Sequence, residues 1–320
     1  MLKKLLGVLV ILSVSLILLG NFTVGISSIV EHPSLNAIRD GIIDYLEASD
    51  LADSIEVDFK CAQGDMKLAK SIADQFVSDN VDVIIGISTP IAQACAGATT
   101  EIPVLFSAVT DPIGAGLIEK MGFNDENIAG ISDLTPVLSQ LQLLKLCFPD
   151  SEKVGFIFNP SEANSVTILD LAKQAAEQMD MEIIEIPGST TSEMITSMNA
   201  IVDDIDAIYI GNDNTAASSI ASLGTIAEKN SKPIIAAFID EGVLLGFGFD
   251  YYEVGLRSGE QALEILKGKD ITEIESKILS ADVLELYIDL DLAERMELTI
   301  PQEVINIADI LVENDRTTEK

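Results

Sequence analysis

From Phe22 onward the chain alternates two hydrophobic rhythms with little interruption. Phe22–Ile29 is apolar and rich in β-branched positions, as strands are. Ser34–Glu47 then sets Leu35, Ile38, Ile42, Ile43 and Leu46 on one helical face. Ile55–Phe59 alternates with a period of two, and Met66–Val77 returns to the helical period. Val81–Ile87 is a largely apolar run, the pattern of a strand buried on both faces of a parallel sheet. A helix from Ile91 and strands at Pro103–Val109 and Ile128–Ile131 complete this series. A second series of similar length and order starts near Thr135. It comprises helix Pro136–Leu146, strand Val154–Phe158, helix Ser165–Gln178, strand Glu182–Ile186 and helix Ser192–Val202. Strand Ala207–Ile210, helix Ala216–Lys229 and strand Pro233–Ala237 follow.

Repeated strand–helix–strand units with right-handed crossovers build doubly wound parallel sheets. The expected fold is α/β, with two such lobes. A polar tail, residues 313–320, is expected to fray.

In open α/β sheets, ligands bind beyond the carboxyl ends of the strands. The loops at those ends are polar. In the first series they are Val30-Glu31-His32-Pro33-Ser34, Ser88-Thr89-Pro90, Thr110-Asp111-Pro112 and Ser132-Asp133-Leu134-Thr135-Pro136. In the second they are Asn159-Pro160-Ser161-Glu162-Ala163-Asn164-Ser165, Gly211-Asn212-Asp213-Asn214-Thr215 and Asp240-Glu241-Gly242. Each has a purely structural alternative. Ser88-Thr89-Pro90 is a good helix start by itself, with a hydroxyl cap and Pro in the first turn. Thr110-Asp111-Pro112 suits a turn, Glu162 suits a helix N-terminus, and His32 before Pro33 reads as a structural or rim residue. One helix needs only one capping side chain, however. The 159–165 and 212–215 loops offer several, and that surplus points to a polar ligand between two lobes.

Composition narrows the chemistry. The 320 residues carry 19 Lys and Arg against 52 Asp and Glu, a net charge of −33. Such a balance repels nucleic acid and anionic lipid surfaces, and by itself it reads as a solubility feature. Cys61, Cys95 and Cys147 form no C-x-x-C pair and His32 is the only histidine, so neither a disulfide framework nor a Cys/His zinc site is expected. No glycine-rich phosphate loop and no Gly-x-Ser-x-Gly elbow is present, so no cofactor and no serine nucleophile is expected. A paired-carboxylate hydrolase has only the abundance of acids in its favour. At the N-terminus, Lys3 and Lys4 precede the apolar stretch Leu5–Leu19. That order marks residues 1–21 as a signal peptide or signal anchor, hence an exported body with membrane contact only through that segment.

The loops also form an ordered set. Ile29-Val30-Glu31-His32-Pro33, Ala62-Gln63-Gly64-Asp65, Ser88-Thr89-Pro90, Thr110-Asp111-Pro112-Ile113-Gly114-Ala115-Gly116 and Ser132-Asp133-Leu134-Thr135-Pro136 come first. Asn159-Pro160-Ser161-Glu162-Ala163-Asn164-Ser165, Asp213-Asn214-Thr215 and Gly248-Phe249-Asp250-Tyr251-Tyr252 follow. This set resembles the ABC-transporter substrate-binding protein family that includes tryptophan/tyrosine-binding lipoproteins of bacteria, over nearly everything after residue 22. The resemblance implies a type I periplasmic-binding-protein fold with three hinge crossings. One lobe would comprise 22–134 plus 243–275, the other 135–242 plus 276–312. Val243–Phe249 would return to the first lobe, with Tyr251–Lys267 as its helix; Leu284–Leu290 and Asp291–Met296 would then lead back to the second.

The resemblance further implies an extracytoplasmic component of an ABC importer. It would clamp a small ligand, an aromatic or other hydrophobic amino acid, and present it to permease subunits and, through them, to the ATPase. On that reading Ser88 and Thr89 take the ligand carboxylate with their helix N-terminal amides, assisted by Thr110. Asp213 takes the ammonium, with Glu162 or Asp111 as second candidates. Asn159, Asn164 and Ser165 complete the clamp beside Asn214 and Thr215. Phe106, Tyr209, Phe238 and Phe247 are the candidate pocket walls. A sensory ligand-binding domain is the alternative, and a hydrolytic enzyme the third. Three departures from the family stand out. No lipoprotein cysteine follows Leu19-Gly20. The segment between Ala237 and Gly246 is short, which bears on whether Asp240 reaches the cleft. Cys61 stands where a polar residue commonly precedes Ala62-Gln63-Gly64-Asp65.

Overall fold

The computed structural model describes residues 21–319. All but the last residue of the leader assigned to 1–21 lies outside the described residues. Among the described residues no helix is long and apolar enough to cross a membrane.

The chain opens with β1 (Phe22–Ser28), α1 (Pro33–Glu47), β2 (Ile55–Cys61), α2 (Met66–Ser78), β3 (Val83–Ile87), α3 (Thr89–Ala96), β4 (Val104–Ser107) and β5 (Ile128–Ser132). It continues with α4 (Val137–Cys147), β6 (Lys153–Phe158), α5 (Ala163–Glu177), β7 (Glu182–Pro187), α6 (Thr191–Ile201), β8 (Ala207–Ile210), α7 (Asn214–Ser218), α8 (Ile220–Lys229), β9 (Ile234–Ala236) and β10 (Leu245–Phe249). The last third holds α9 (Tyr251–Leu266), β11 (Lys277–Ile278), β12 (Leu284–Asp289), α10 (Leu290–Arg295), α11 (Gln302–Ile307), β13 (Ile310–Glu313) and β14 (Arg316–Glu319). The helix expected over Ala216–Lys229 is broken at Ser219 into α7 and α8.

Two sheets result. The first has the order β11-β5-β4-β3-β1-β2 and the second β14-β13-β12-β10-β9-β8-β6-β7. The first is parallel throughout its named strands. Its interior strand β3 is buried at all five positions, which explains the unbroken apolar run: neither face meets water. Helices pack on both faces of the second sheet too, which therefore has a separate apolar core on each side.

The crossings differ from expectation. The strand expected to return to the first lobe, Val243–Phe249, instead joins the second sheet. There β10 pairs in parallel with β9, Leu245 opposite Ile235, and antiparallel with β12. The chain re-enters the first lobe at α9, which packs on its core through Val254, Ala262 and Leu263. It leaves again between β11, paired with β5, and β12. The second and third crossings therefore lie near Asp250 and within 279–283, where the Asp250 N–H donates to the Val283 carbonyl at 3.0 Å. An apolar run records burial but not which sheet receives it. A second correction concerns the tail. Residues 316–319 pair antiparallel with β13, and the Asn314 and Asp315 N–H groups donate to the Asp291 carboxylate at 2.7 and 2.8 Å. A strand edge captures a polar segment through its backbone, whatever the side chains.

α9 lies against α1 at near-backbone contact. A Cβ on Gly41 would strike the Tyr252 carbonyl, and one on Gly255 the Ile38 carbonyl. The obstacles are backbone atoms, which cannot rotate away. Gly255→Ala is therefore expected to destabilise the protein by about 1–3 kcal/mol through overpacking, read as a lower urea midpoint with unchanged slope.

Candidate ligand-binding cleft

The strand order arranges the polar loops in a row. Across the first sheet, β1, β3, β4 and β5 are successive neighbours. Their ends deliver, in that order, His32, Ser34 and Leu35; Ser88 and Thr89; Ala108 and Thr110; and Asp133. With about 4.8 Å per strand the row spans about 14 Å. Facing it, β9 delivers Phe238, β8 delivers Asn212, Asp213 and Asn214 with Ala217 beyond, and the start of α5 delivers Asn164. Tyr251, at the start of α9, completes the lining of the cleft, whose free volume with the lobes in this arrangement is ≈ 30 Å³, room for about one water molecule.

The two sides already touch at one end. The Asn212 amide donates to the Asp133 carboxylate at 2.9 Å and to the Tyr251 hydroxyl at 3.2 Å, while its carbonyl accepts from the Thr135 hydroxyl at 3.0 Å. Asp133 also accepts from Thr110 at 3.0 Å and from Tyr251 at 3.1 Å. Burial raises the Asp133 carboxyl above the usual carboxylate range, and these three donors pull it back. A further contact, Thr167 to Asp111 at 3.4 Å, joins α5 to the loop after β4.

Elsewhere along the row, polar atoms lack partners. Ser88 Oγ, Thr89 Oγ1, His32 Nδ1 and Asn164 Oδ1 all belong to cleft residues and all are buried without a hydrogen bond. Buried polar groups are nearly always paired, so four unpaired atoms around one cavity mark where a ligand's polar groups belong. Backbone geometry agrees. Ser88 holds φ at 81° and Ala108 at 54°, the left-handed region that a side chain disfavours. Such strain collects at functional sites.

Six expected site residues line the cleft: Ser88, Thr89, Thr110, Asn164, Asp213 and Asn214. Five do not, which corrects the reading of the 159–165 loop as a ligand-facing surface. Glu162 sits beneath the cleft and accepts from Asn159 Nδ2 at 3.2 Å, Asn164 Nδ2 at 3.2 Å, Asn214 Nδ2 at 2.6 Å and Thr215 Oγ1 at 2.9 Å. Ser165 donates to the Asp213 carboxylate, which also accepts from the Asn159 N–H at 2.6 Å and the Ala216 N–H at 2.7 Å. Since β6 and β8 are neighbours, their two loops satisfy each other. Most of their surplus polarity is spent internally, and Asn164, Asn212, Asp213 and Asn214 are what these loops present to the cavity. Asp111 accepts from the Gly114 N–H at 2.8 Å, closing its own turn.

Among the proposed walls only Phe238 lines the cleft. Tyr209 is in the core, bonded to Gln140 at 2.6 Å; Phe106 is fully buried in β4, and Phe247 packs on the second core. Asp240 lines an adjoining vestibule instead. Asp133, Asn212, Tyr251, Ser34 and His32 line the cleft in addition to the expected site residues. Asp133 and Asn212 stand in the quoted loops, so their signal was present. Tyr251 reads as an ordinary helix start.

Electrostatically the cleft holds two carboxylates, Asp133 and Asp213, and no Lys or Arg among its lining residues. Burial, and after it the neighbouring Glu162 carboxylate, pushes the Asp213 carboxyl well above its ordinary value. Burial pushes His32 the other way, to about 4, so its imidazole is neutral at physiological pH.

Two α/β lobes, three crossings and a polar cleft between the strand ends define a clamshell solute-binding protein. The chain matches the family model of the ABC transporter substrate binding protein over residues 23–312, and it belongs to that family. It is 38% identical over 280 residues to a tyrosine-binding protein of Clostridioides difficile, covering 86% of this chain and 81% of the relative. It is also similar to the crystal structure of an ABC domain in complex with L-Trp from Streptococcus pneumonia. The TM-score is 0.85 and the identity 28%, over 92% of this chain and all (100%) of that one. The ligand-free, open structure of a Clostridium difficile substrate-binding protein with adhesive properties gives TM-score 0.68 at 34% identity, over 91% of this chain and 100% of that one. The better superposition of the two falls on the ligand-bound relative despite its lower identity, and in this chain the Asn212 amide joins the two lobes across the cleft.

Two outcomes are expected. Ser88→Gly relieves the positive φ and removes an unpaired buried hydroxyl, so it should raise the unfolding free energy of ligand-free protein by about 1 kcal/mol in urea denaturation. His32, the only histidine, gives a single imidazole Hε1 resonance. Its folded-state pKa, about 4, lies below its ordinary 6.5, so its stability contribution is whole above the higher value and is lost as pH falls through the lower. In NMR spectra the resonance should hold its neutral shift from pH 8 to about 5.

Proposed function

We propose that this substrate-binding protein captures a free aromatic amino acid outside the cytoplasm and delivers it, by closure of its lobes, to the permease subunits of an ABC importer. The observation that carries a small zwitterionic ligand is the convergence of unpaired neutral donors and buried carboxylates on one interlobe cleft. The aromatic class comes from the relatives, one named for tyrosine and one solved with L-Trp.

The chemistry divides along the row. With no cationic side chain in the lining, the ligand carboxylate rests on neutral donors: the Ser88 and Thr89 hydroxyls and the first-turn amides of α3. The ammonium meets Asp213, supported by Asp133, since a positive charge taken out of water needs a carboxylate beside it. Arrival of that charge also favours the ionised form of Asp213. Asn164, with Oδ1 unpaired, accepts a further ammonium hydrogen. Closure of the second lobe over the first, with Asn212 engaging Asp133 and Tyr251, excludes water and presents a joined surface to the permease, with the ATPase acting through it. The protein binds without turning its ligand over. Family membership and the charged-then-apolar N-terminus support an extracytoplasmic site of action.

Isothermal titration of protein freed of bound ligand tests this. Binding of tyrosine or tryptophan at micromolar or better affinity is expected, with the ligand recovered unchanged. Ser88→Gly, although more stable, should bind at least tenfold more weakly, since each lost hydrogen bond to a charged group is worth about 1.5–3 kcal/mol. Absence of binding by all aromatic amino acids would remove this ligand class.

A further inference from the structure

The cleft is asymmetric along the strand row. At the β4–β5 end it is shut by the bonds of Asn212 to Asp133, Tyr251 and Thr135. At the β1 end it adjoins a second, roomier cavity of ≈ 540 Å³, with His32 and Ala217 lining both. A ligand whose head group rests on Ser88 and Thr89 therefore extends its side chain toward β1, the strand next to β3 in the sheet. Along that path the cleft lining is Ser34, Leu35, Ala217 and Phe238, with one ring bearing polar atoms, His32. This ring is 9% exposed and its Nδ1 is buried without a hydrogen-bond partner. As the residue before α1 it makes no side-chain cap bond, so helix formation does not account for it.

We infer that His32 is the specificity residue of the cleft, accepting a hydrogen bond from a donor on the ligand's aromatic ring: the phenolic O–H of tyrosine or the indole N–H of tryptophan. This rests on the aromatic amino-acid reading above. Tyrosine and tryptophan share a ring donor and phenylalanine has none. A neutral imidazole has one nitrogen free to accept, and burial keeps His32 neutral. Phenylalanine would leave that nitrogen unpaired in a closed cleft, and an unmatched buried acceptor discriminates far more strongly than a difference in apolar size. The apolar walls then supply fit, while His32 supplies the choice.

Titration of tyrosine, tryptophan and phenylalanine into wild-type protein, His32→Leu and His32→Gln decides the matter, with thermal unfolding of each variant as a check on folding. The wild type is expected to prefer tyrosine and tryptophan over phenylalanine by at least about tenfold. His32→Leu should erase that preference while holding phenylalanine within about threefold of its wild-type affinity. His32→Gln, which keeps an acceptor, should restore part of it. An unchanged preference in His32→Leu overturns the inference. So does an equal loss for all three ligands, which would place His32 on the amino-acid head group. If the wild type binds none of the three, the aromatic reading fails, and this inference falls with it.

Discussion

One amide side chain spans the two lobes. Asn212, at the end of β8, donates to Asp133 and Tyr251 and accepts from Thr135. Buried amides must find partners, and these partners stand on the opposite lobe or at the crossing beside it. The closed arrangement is thus tied to the hydrogen-bond economy of one residue. Everything else in the cleft is arranged around what these bonds leave open. The β4–β5 end is filled by protein, whereas the stretch from Ser88 to His32 keeps its polar atoms free.

The carboxylates show how a site can be acidic without being indiscriminate. The chain carries a net charge of −33, yet the acids that matter are the few held out of water. Glu162 never reaches the cleft, but its charge adds to the burial that raises the Asp213 carboxyl. A buried acid reluctant to ionise gains most from a cation placed beside it, because that charge offsets what burial costs the carboxylate. The Asn159, Asn164, Asn214 and Thr215 donors around Glu162 hold the β6 and β8 loops as one unit. Asn164 and Asp213 are presented from a rigid base as a result. Rigid presentation matters for a binding protein, because loops that must order on binding subtract from affinity.

The glycines of α1 and α9 belong to the same logic at a distance. Gly41 and Gly255 let the two helices meet at their backbones. That places the start of α9, and with it Tyr251, beside the cleft, close enough for its hydroxyl to reach both Asp133 and Asn212. A helix packed one side chain's width further out would leave both without that hydrogen bond.

Much of the fold was legible from periodicity, because parallel strands buried on both faces and one-sided helices leave different spacings in the chain. β3 and α1 are clear instances. The strand-end rule also brought the cleft-lining loops into view, and six of eleven expected residues line the cleft. The sequence by itself determined which segments are buried and which loops carry polarity, since both follow from the local order of side chains. It did not determine that β10 joins the second sheet, that Glu162 and Ser165 face their neighbours rather than a ligand, or that Asn212 and Tyr251 meet. Those facts depend on which strands become neighbours and how the lobes approach. Only the tertiary structure decided them, because hydrogen bonds between distant loops follow distance and direction, which spacing along a chain does not encode.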